Sequence, residues 1–348
     1  MNNISRKQKS RLFELDLLRL IAIILVLMGH VLQSLLEPVG SGYGKTMFLY
    51  IYSFHMSLFM LISGFFAYNQ IYTKSIEEIV RKKSKQLLLP SLSWGIVIVG
   101  YEMLVNKINI SEGYFLFIHE LWFLKCLFLC FIYTSIVHTF IKESVILSFI
   151  VLFILSHLTS LYGVAHMLPS FIVGMLIFKY KSFFKRNVVI IMASTAFLYL
   201  FLLQKWNYNY GDYTFFNIYK FMASLNNQTI IYSMLFGLLK EIYRVSVGIT
   251  GAIAFACAIY LVCSTTRHNG ILKKISAYGT MTLGIYVVQA LILERIIKSI
   301  IQFPADVNMT LFNVFVVPVV SLITLYLCIL IVKLLKRNKY SSLIMLGQ

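Results

Sequence analysis

The chain has 348 residues, of which 59% are hydrophobic and 13% are charged. Soluble domains are about 45–50% apolar and about 25% charged, so this composition excludes a soluble globular protein. The counts of 5 prolines and 18 glycines likewise exclude a collagen-like or low-complexity disordered chain. One membrane span needs roughly 20 apolar residues, so the length predicts about nine to eleven membrane helices and no large domain outside the bilayer.

The first predicted element is an apolar run that follows a basic N-terminal segment. Residues 1–14 contain four Lys or Arg residues, and the run Leu17–Leu36 comes next. The apolar region of a signal peptide is only about 7–15 residues long and ends at a small-residue cleavage site. This run is longer and lacks a clear site of that kind, so we interpret it as the first transmembrane span.

Nine further apolar runs follow along the chain. They predict an all-α, polytopic membrane helix bundle of about ten transmembrane helices, forming one domain over residues 1–348 with no separate soluble domain. The apolar stretch Thr229–Leu239 is too brief for an ordinary span; an interfacial or re-entrant piece is one interpretation of it, and this leaves the helix count open by one or two. The predicted spans are Leu17–Leu36, Met47–Tyr68, Leu87–Val105, Leu121–His138, Ser144–Leu161, His166–Phe178, Val188–Leu203, Ile242–Cys263, Tyr278–Ile297 and Thr310–Val332.

The distribution of Lys and Arg predicts the orientation of the bundle. The chain has 31 Lys and Arg against 13 Asp and Glu, a net charge of +18. With a cytoplasmic N-terminus, the inner segments contain 21 of the basic residues and the outer segments contain 6. Basic residues accumulate in cytoplasmic loops, so we expect both termini in the cytoplasm of a multi-pass protein of the cell (inner) membrane. The net positive charge is therefore explained by the orientation of the helices in the membrane, and we expect no nucleic-acid partner.

Two further features of the sequence, an aromatic outer loop and the five cysteines, are interpreted as ordinary parts of a membrane protein. The outer loop Gln204–Gln228 is rich in Tyr, Asn and Trp, which suits either sugar contact or a membrane-interface belt, and we favour the belt. The cysteines lie in apolar runs without a CxxC pair and without His at ligand spacing, so we predict neither disulfides nor a metal site. These cysteines are Cys126, Cys130, Cys257, Cys263 and Cys328.

Ionisable side chains inside the predicted spans are the candidates for function. Each costs about 2.5–3.5 kcal/mol on insertion scales, so a position there needs a reason. The candidates are Arg19, His30, His55, Lys125, Arg244 and Glu294. Arg19 and His30 are eleven residues apart, or about three helical turns and about 16 Å, and therefore share one helix face. His55 lies at a depth similar to that of His30 on the next, antiparallel span, so the two histidines are predicted to face each other.

Two interpretations of these residues stay open from the residues alone. A neutral histidine in apolar surroundings suits proton transfer, because its unperturbed pKa is near 6.5. Each histidine would serve equally well as a hydrogen-bonding residue between helices. For Arg19 the alternative is a side chain that extends to lipid phosphates, with Glu14 and Asp16 close by. The joint pattern of all three residues favours function.

This joint pattern resembles the acyltransferase-3 family of bacterial membrane acyltransferases. Leu15–Arg19 reads LDLLR and is followed after ten residues by His30, as in the family's opening motif. Ser53–Phe59 reads SFHMSLF and Ile62–Phe66 reads ISGFF, similar to the Phe-His-Met-Pro-Leu-Phe … Ser-Gly-Phe signature with Ser57 in place of proline. Later, Leu121–Leu124 reads LWFL, and Ala277–Thr280 through Ile285-Tyr286 resembles the family's late Gly-x-x-Ser/Thr … Ile-Tyr span.

Two departures from the family pattern affect the predicted site. The family's Arg-x-x-Arg pair before the proline of the third span reads Lys83-Ser84-Lys85-Gln86 here, with Arg81 and Lys82 nearby. This difference leaves open which cations meet a phosphate. The late span has Gln289 where the family usually has histidine, so position 289 is left out of the catalytic set.

The resemblance implies transfer of an acyl group, most often acetyl from acetyl-CoA, to a sugar hydroxyl of a surface polysaccharide or its lipid-linked precursor. It implies His30, Arg19 and His55 as the catalytic set, with His30 as general base or acyl carrier and His55 assisting it. No bound cofactor or metal is implied; acyl-CoA is a co-substrate, and the partners are the glycan acceptor and membrane lipid. The implied donor-binding residues are Arg19, Arg81, Lys82, Lys83 and Lys85, and the implied substrate-binding residues are Trp122 and Tyr286.

Two other classes of function compete with this prediction. Buried His and Arg also suit a proton relay in a transporter or an exporter of lipid-linked glycans. A transporter is expected to show repeats or helix breaks at corresponding positions in its two halves, and the five prolines show no such pairing. A purely structural subunit leaves the histidine-bearing face unexplained.

Overall fold

The computed structural model describes residues 13–36, 45–141, 147, 151–152, 163–206, 228–265, 270–304 and 307–348. Within these residues the chain is helical, apart from turns and one isolated parallel bridge between Leu36 and Phe303. The predicted all-α class is therefore confirmed. The α-helices are α1 (Phe13–Ser34), α2 (Lys45–Thr73), α3 (Ile76–Lys83), α4 (Leu89–Val105), α5 (Ile110–His119), α6 (Trp122–Phe140), α7 (Val164–Lys179), α8 (Lys181–Arg186), α9 (Val188–Leu203), α10 (Gln228–Thr265), α11 (Gly270–Ser276), α12 (Thr282–Leu291), α13 (Lys298–Ile300), α14 (Met309–Leu311), α15 (Val317–Leu335) and α16 (Lys339–Leu346).

Seven helical stretches in the described part of the chain are long and apolar enough to cross a membrane. They are Phe13–Ser34, Thr46–Thr73, Ile76–Val105, Trp122–Phe140, Gly237–Thr265, Gly270–Ile300 and Met309–Leu335. The shorter apolar helices α7 and α9 coincide with the predicted sixth and seventh spans. Most of the predicted span Ser144–Leu161 lies outside the described residues. The chain is thus a multi-pass membrane protein, whereas the total of about ten spans and the orientation of the termini stay predictions.

One predicted boundary differs from the structure. The stretch Thr229–Leu239 is not separate from the next span but belongs to α10, which is continuous over 38 residues. The only glycine in that stretch is Gly237, and a glycine costs a helix only about 1 kcal/mol relative to alanine. A single glycine therefore does not end a helix that the neighbouring residues support. Most of the predicted aromatic loop Gln204–Gln228 lies outside the described residues.

Three π-helical turns interrupt the long helices, at Ser84–Leu88, Ile292–Ile297 and Phe312–Val316. Two of them end two residues before a proline, Pro90 and Pro318. Proline lacks an N–H and its ring collides with the carbonyl four residues earlier, so a widened turn just before it relieves both problems. The turn Ile292–Ile297 has no proline within the next six residues, and it contains Glu294 and Arg295. Such turns often occur at functional sites.

Helix α1 lies in the middle of the bundle, in contact with α2, α10, α12 and α15. Its start meets the 3-10 turn Ala277–Met281, where Gly279 packs against the carbonyl of Asp16. Its far end meets the segment after α13, where the amide of Phe303 donates to the carbonyl of Leu35 over 2.8 Å. We call the first end the basic end, because Lys181, Lys273 and Lys333 lie on segments that meet the start of α1 or this turn, and we call the other the opposite end.

Helices α2 and α7 run parallel and touch through glycine. His55 and His166 line one cavity near the starts of the two helices, and Tyr68 stacks on Phe178 near their ends, with ring centroids 5.1 Å apart. At the crossing, Gly64 and Gly174 each lie against the partner's backbone: an added Cβ would fall 1.9 Å and 2.0 Å from a carbonyl oxygen. Only glycine permits so close an approach, and this contact fixes how α7 packs beside α2.

Candidate active site

His30 and Glu294 form a pair near the opposite end of the bundle. His30 is on α1, and its Nδ1 lies 3.2 Å from Oε1 of Glu294 on the π-helical turn Ile292–Ile297. Their side chains are 25% and 22% exposed, so a substrate can reach them. In a neutral imidazole whose Nδ1–H faces a carboxylate, Nε2 is a proton acceptor. This is the arrangement of a general base held in one orientation by an acid.

Glu294 belongs to a wider ion-pair network. Gln289 donates from Nε2 to Oε1 of Glu294 over 3.0 Å, and Arg295 contacts Oε2 of Glu294 at 3.0 Å. Arg295 also donates from Nε to Glu102 over 3.0 Å and from Nη2 to Glu120 over 2.6 Å. The network connects the late span with Glu102 on α4 and with Glu120, the residue that follows α5. It holds the carboxylate that faces His30 from two sides.

Glu120 lies outside the membrane-spanning helices and has an unusual acidity. Burial, together with the negative charge of Glu294, raises the pKa of Glu120 to about 7. Arg295 acts in the other direction but does not offset the burial. Near neutral pH this carboxyl therefore exchanges a proton easily.

His55 is buried on α2 and is oriented by its own helix. Its Nδ1 lies 2.7 Å from the carbonyl of Ile51, so Nδ1 is the nitrogen that bears the proton. The ring of Tyr52 packs edge-on against His55, with centroids 4.8 Å apart, and also contacts the backbone of α1 at Gly29. The structure thus brings the His55 region next to the turn of α1 that contains His30. The catalytic role of His55 stays a prediction.

Arg19 lies on α1 toward the basic end, as its position in sequence requires. Its Nη1 is 3.4 Å from Oδ1 of Asp16, and its guanidinium lies 3.9 Å from the centroid of the Phe66 ring. The side chain is 27% exposed. Both contacts hold the guanidinium within the protein, in addition to any contact with lipid phosphates.

Of the four predicted donor-binding cations other than Arg19, one is buried and three are exposed. Arg81, Lys82 and Lys85 are exposed, whereas Lys83 is buried. Lys83 Nζ lies 3.8 Å from the centroid of the Phe131 ring and donates to Gln86 over 3.3 Å. Among the four, Lys83 is therefore the one whose ammonium points into the bundle, as the guanidinium of Arg19 does.

Trp122 and Tyr286 lie on either side of Phe123. The rings of Trp122 and Phe123 are 6.4 Å apart and those of Phe123 and Tyr286 are 5.5 Å apart, both in edge-on geometry. The preceding residue, Leu121, has the rare positive φ of 52° for a bulky side chain. The structure thus groups the two predicted substrate-binding residues.

Lys125, a candidate because it lies inside a span, has a structural explanation. Its Nζ donates to the carbonyls of Phe117, Ile118 and Glu120 over 3.0, 2.7 and 2.9 Å. A cation at the carbonyl end of a helix satisfies groups that otherwise lack a partner and complements the helix dipole. Lys125 therefore fastens the end of α5.

A second histidine–carboxylate pair lies between α7 and α10. Nδ1 of His166 is 3.3 Å from Oε1 of Glu241, and both side chains are about 4–5% exposed. The distance is that of an ion pair whose angles do not make an aligned hydrogen bond. Arg244 donates from Nη1 toward Nε2 of His166 over 3.5 Å. Within the described residues, no three His, Cys, Asp or Glu side chains come together as a metal site.

Comparison with known proteins identifies the family. The family described as "Acyltransferase domain", acyltransferase-3, matches residues 12–333. This chain belongs to the acyltransferase-3 family. The resemblance in the motifs is thereby confirmed, and the chain has an acyltransferase domain over nearly its whole length.

Two curated relatives have the name Nodulation protein NolL. The one from Mesorhizobium japonicum is 33% identical over 140 residues, which is 37% of this chain and 37% of the relative. The one from Sinorhizobium fredii is 33% identical over 132 residues, or 36% of each chain. The matched stretch thus spans little more than a third of the length of these relatives. No solved structure matches the chain.

Sequence reasoning missed several members of these networks. Glu294 and Arg244 stood out as ionisable residues inside spans, but Arg295, in the same span as Glu294, was passed over. His166 and Glu241 lie at the ends of predicted spans, so neither stood out as an ionisable residue inside a span. Gln289 was excluded by comparison with the family, yet it holds the carboxylate that faces His30.

Proposed function

We propose that this protein is a membrane O-acyltransferase of the cell membrane. It transfers an acetyl group from acetyl-CoA to a sugar hydroxyl of a surface polysaccharide or its lipid-linked precursor. The observation that carries this proposal is the accessible His30–Glu294 pair on the family's histidine motif. A base fixed by a carboxylate is what acyl transfer to a weakly acidic hydroxyl requires.

In the proposed reaction, Nε2 of His30 takes the proton of the acceptor hydroxyl. The acceptor oxygen then forms a bond to the thioester carbonyl carbon, and the carbon–sulfur bond breaks. His30 returns the proton to the leaving thiolate, which departs as coenzyme A. Glu294 faces the imidazolium that forms in between and stabilises it, and Gln289 and Arg295 keep the carboxylate in place. A general base of this kind contributes typically about 10²–10⁴-fold.

The proposed donor site is at the basic end. Arg19 and Lys83 both point inward there on aromatic rings, and the exposed cations Arg81, Lys82 and Lys85 surround the entrance. Charged hydrogen bonds from such residues suit the phosphates of a CoA thioester. Arg19 is about 16 Å from His30 along α1, near the reach of a pantetheine arm.

The acceptor is proposed to approach from the opposite end. His55 assists His30, while Trp122 and Tyr286 bind the sugar through their amphipathic rings. If the basic end faces the cytoplasm, the acetyl group crosses much of the membrane during transfer. This arrangement predicts that the acceptor is acetylated after, and not before, the glycan has been flipped outward.

The experiment is mass spectrometry of the surface glycan from cells that express wild-type protein or the His30→Ala variant. Loss of the acetyl mass increment from a sugar in the variant supports the proposal. An unchanged acetyl pattern with lost polysaccharide export contradicts it and favours the exporter. Acetylation that is complete on the precursor before flipping contradicts the transmembrane route alone.

A further inference from the structure

The polar cavity that His55 and His166 line lies between α2, α7 and α10. Residues Tyr52–Ser57 form one wall, and His166, Met167, Arg244 and Val245 form the others. Ionisable residues at such a depth in apolar helices usually mark a substrate or ion pathway. The cavity is separate from the His30–Glu294 pair and from the predicted donor site, and one of its walls is part of the SFHMSLF motif that contains His55.

A chain of three side chains orients Arg244 toward this cavity. Arginine only donates hydrogen bonds, so Nε2 of His166, 3.5 Å from Nη1 of Arg244, is an acceptor. The proton of His166 is then on Nδ1, which faces Glu241 at 3.3 Å. His166 and Glu241 are almost completely buried, so the sequence from carboxylate to imidazole to guanidinium is held rigidly. Glu241 stands behind His166 and does not line the cavity.

Glycine brings Arg244 to the level of His55. Gly248, one turn after Arg244 on α10, lies so close to α2 that an added Cβ would fall 2.3 Å from Oγ of Ser57. The two helices therefore approach closely at this level. His55 lines the cavity, and Tyr52, which packs against His55, also contacts α1 at Gly29, next to the proposed catalytic base His30.

We propose that Arg244 binds a negatively charged group of the acyl acceptor in this cavity. The proposal rests on the proposed function and deepens it: the acceptor carries a carboxylate or a phosphate a short distance from the hydroxyl that receives the acyl group. A guanidinium offers parallel N–H donors that match two oxygens of either group. Glu241 and His166 are positioning residues for Arg244. An anion held there directs the remaining part of the acceptor past His55 toward His30.

The test is thermal unfolding of the purified protein in detergent with saturating coenzyme A, which occupies the donor site. The probes are sodium glucuronate, glucose 6-phosphate and glucose, each at equal ionic strength. A ligand at ten times its Kd raises the unfolding midpoint by on the order of 2 °C. We expect a rise with glucuronate, with glucose 6-phosphate or with both, and none with glucose. The stronger of the two anions distinguishes carboxylate from phosphate as the natural group.

Three variants make the test specific. Arg244→Gln is expected to abolish the rise, and Arg244→Lys, which keeps the charge but loses the paired donors, to reduce it at least by half. Lys298→Gln removes an exposed cation at the same end of the molecule and is expected to change nothing. Should Arg244→Gln fail to fold, the comparison of Arg244→Lys with wild type decides, and an equal rise in both overturns the proposal.

The remaining outcomes separate this proposal from the proposed function. A rise with glucose equal to that with the anions, no rise with either anion, or a rise that survives in Arg244→Gln overturns the anion site. Release of coenzyme A from acetyl-CoA is measured in the same preparations. Release without anion binding refutes only the site, whereas anion binding without release refutes the transferase and leaves an anion site.

Discussion

His30 has one ring nitrogen facing Glu294, while its other ring nitrogen is the proposed proton acceptor, and this division depends on a few neighbouring side chains. Gln289 and Arg295 both contact the carboxylate of Glu294. All three residues lie in one helical stretch, and Glu294 and Arg295 are in its π-helical turn. At the basic end, aromatic rings hold Arg19 and Lys83 inside the bundle in a similar way. The chemistry of the site thus depends on residues that were not among the predicted catalytic set.

The first prediction concerns Glu294. Glu294→Gln is expected to lower kcat for acetyl transfer while KM for acetyl-CoA stays unchanged, because an amide does not stabilise the imidazolium. His30→Ala is expected to lower kcat by about 10²–10⁴-fold. Steady-state kinetics in proteoliposomes measures both. Glu77→Gln, at an exposed carboxylate, is the control, and an unchanged kcat in Glu294→Gln refutes the positioning role.

The second prediction separates the two kinds of cation near the donor entrance. Lys83→Gln is expected to raise KM for acetyl-CoA by on the order of tenfold, the value of one charge-assisted hydrogen bond. Arg81→Gln is expected to have a much smaller effect, because its guanidinium is exposed and solvated. The KM values of the two variants are compared at equal kcat. Equal rises in both would show that the inward direction of Lys83 is irrelevant to donor binding.

The third prediction concerns pH. The pKa of Glu120 is raised to about 7 from its usual 4.5, so between these values the folded protein binds a proton that the unfolded chain has released. Stability is therefore expected to fall as pH rises through this window. Glu120→Gln does not titrate, so its unfolding midpoint is expected to fall less than that of wild type between pH 5 and 7.5. Parallel pH profiles would contradict the raised pKa; Glu77→Gln again serves as control.

At the scale of helices, glycine and proline decide how the elements meet. Gly64 and Gly174 let α2 and α7 cross with their backbones in contact, and Gly279 does the same for the start of α1. Pro90 and Pro318 follow π-helical turns. Such a turn changes the directions in which the neighbouring side chains point around the helix axis. These contacts place His55 and His166 at one level of the bundle.

The fourth prediction tests the helix crossing. Gly64→Ala is expected to destabilise the protein by about 1–3 kcal/mol or more, because the new Cβ would lie 1.9 Å from the carbonyl oxygen of Phe171. Gly100→Ala, where an added Cβ meets nothing within 4 Å, is the matched control and is expected to be neutral or slightly stabilising. Thermal unfolding in detergent measures both. Similar midpoints for the two variants would argue against a tight crossing.

At the scale of the whole molecule, charged residues divide the bundle into two ends. Arg19, Lys83 and many exposed cations are at the basic end, and the paired histidines and carboxylates are toward the opposite end. This polarity matches a donor that enters at one end and an acceptor that enters at the other. Arg295 fastens the opposite end by joining Glu102 and Glu120 to the late span.

The fifth prediction tests the orientation. The five native cysteines are buried, so a new exposed cysteine is expected to dominate labelling by a membrane-impermeant maleimide. Lys298→Cys is expected to react in intact cells, and Lys339→Cys only after the membrane has been permeabilised. The reverse pattern would place the basic end outside and would invalidate the proposed entry of acetyl-CoA.

Composition and local pattern were enough to predict the class of protein. An excess of apolar residues requires a lipid environment, and a helix satisfies its backbone within one segment, so each apolar run identifies a helix without knowledge of its neighbours. The family motifs are equally local, and the match over residues 12–333 confirms them. The interpretation of Thr229–Leu239 as a separate interfacial segment was wrong, because α10 continues through this stretch. Whether a helix ends at a given residue depends on a small energy difference that a local pattern does not fix.

The sequence by itself thus determined that this is an all-α membrane protein of the acyltransferase-3 family, and it singled out His30, His55 and Arg19 as candidates for function. Only the tertiary structure decided the partners: Glu294 for His30, Glu241 and Arg244 for His166, and the inward direction of Lys83. The physical reason is one of range. Helix periodicity fixes which residues share a face, but contacts between distant segments depend on packing at crossings such as that of Gly64 and Gly174, which no local pattern encodes.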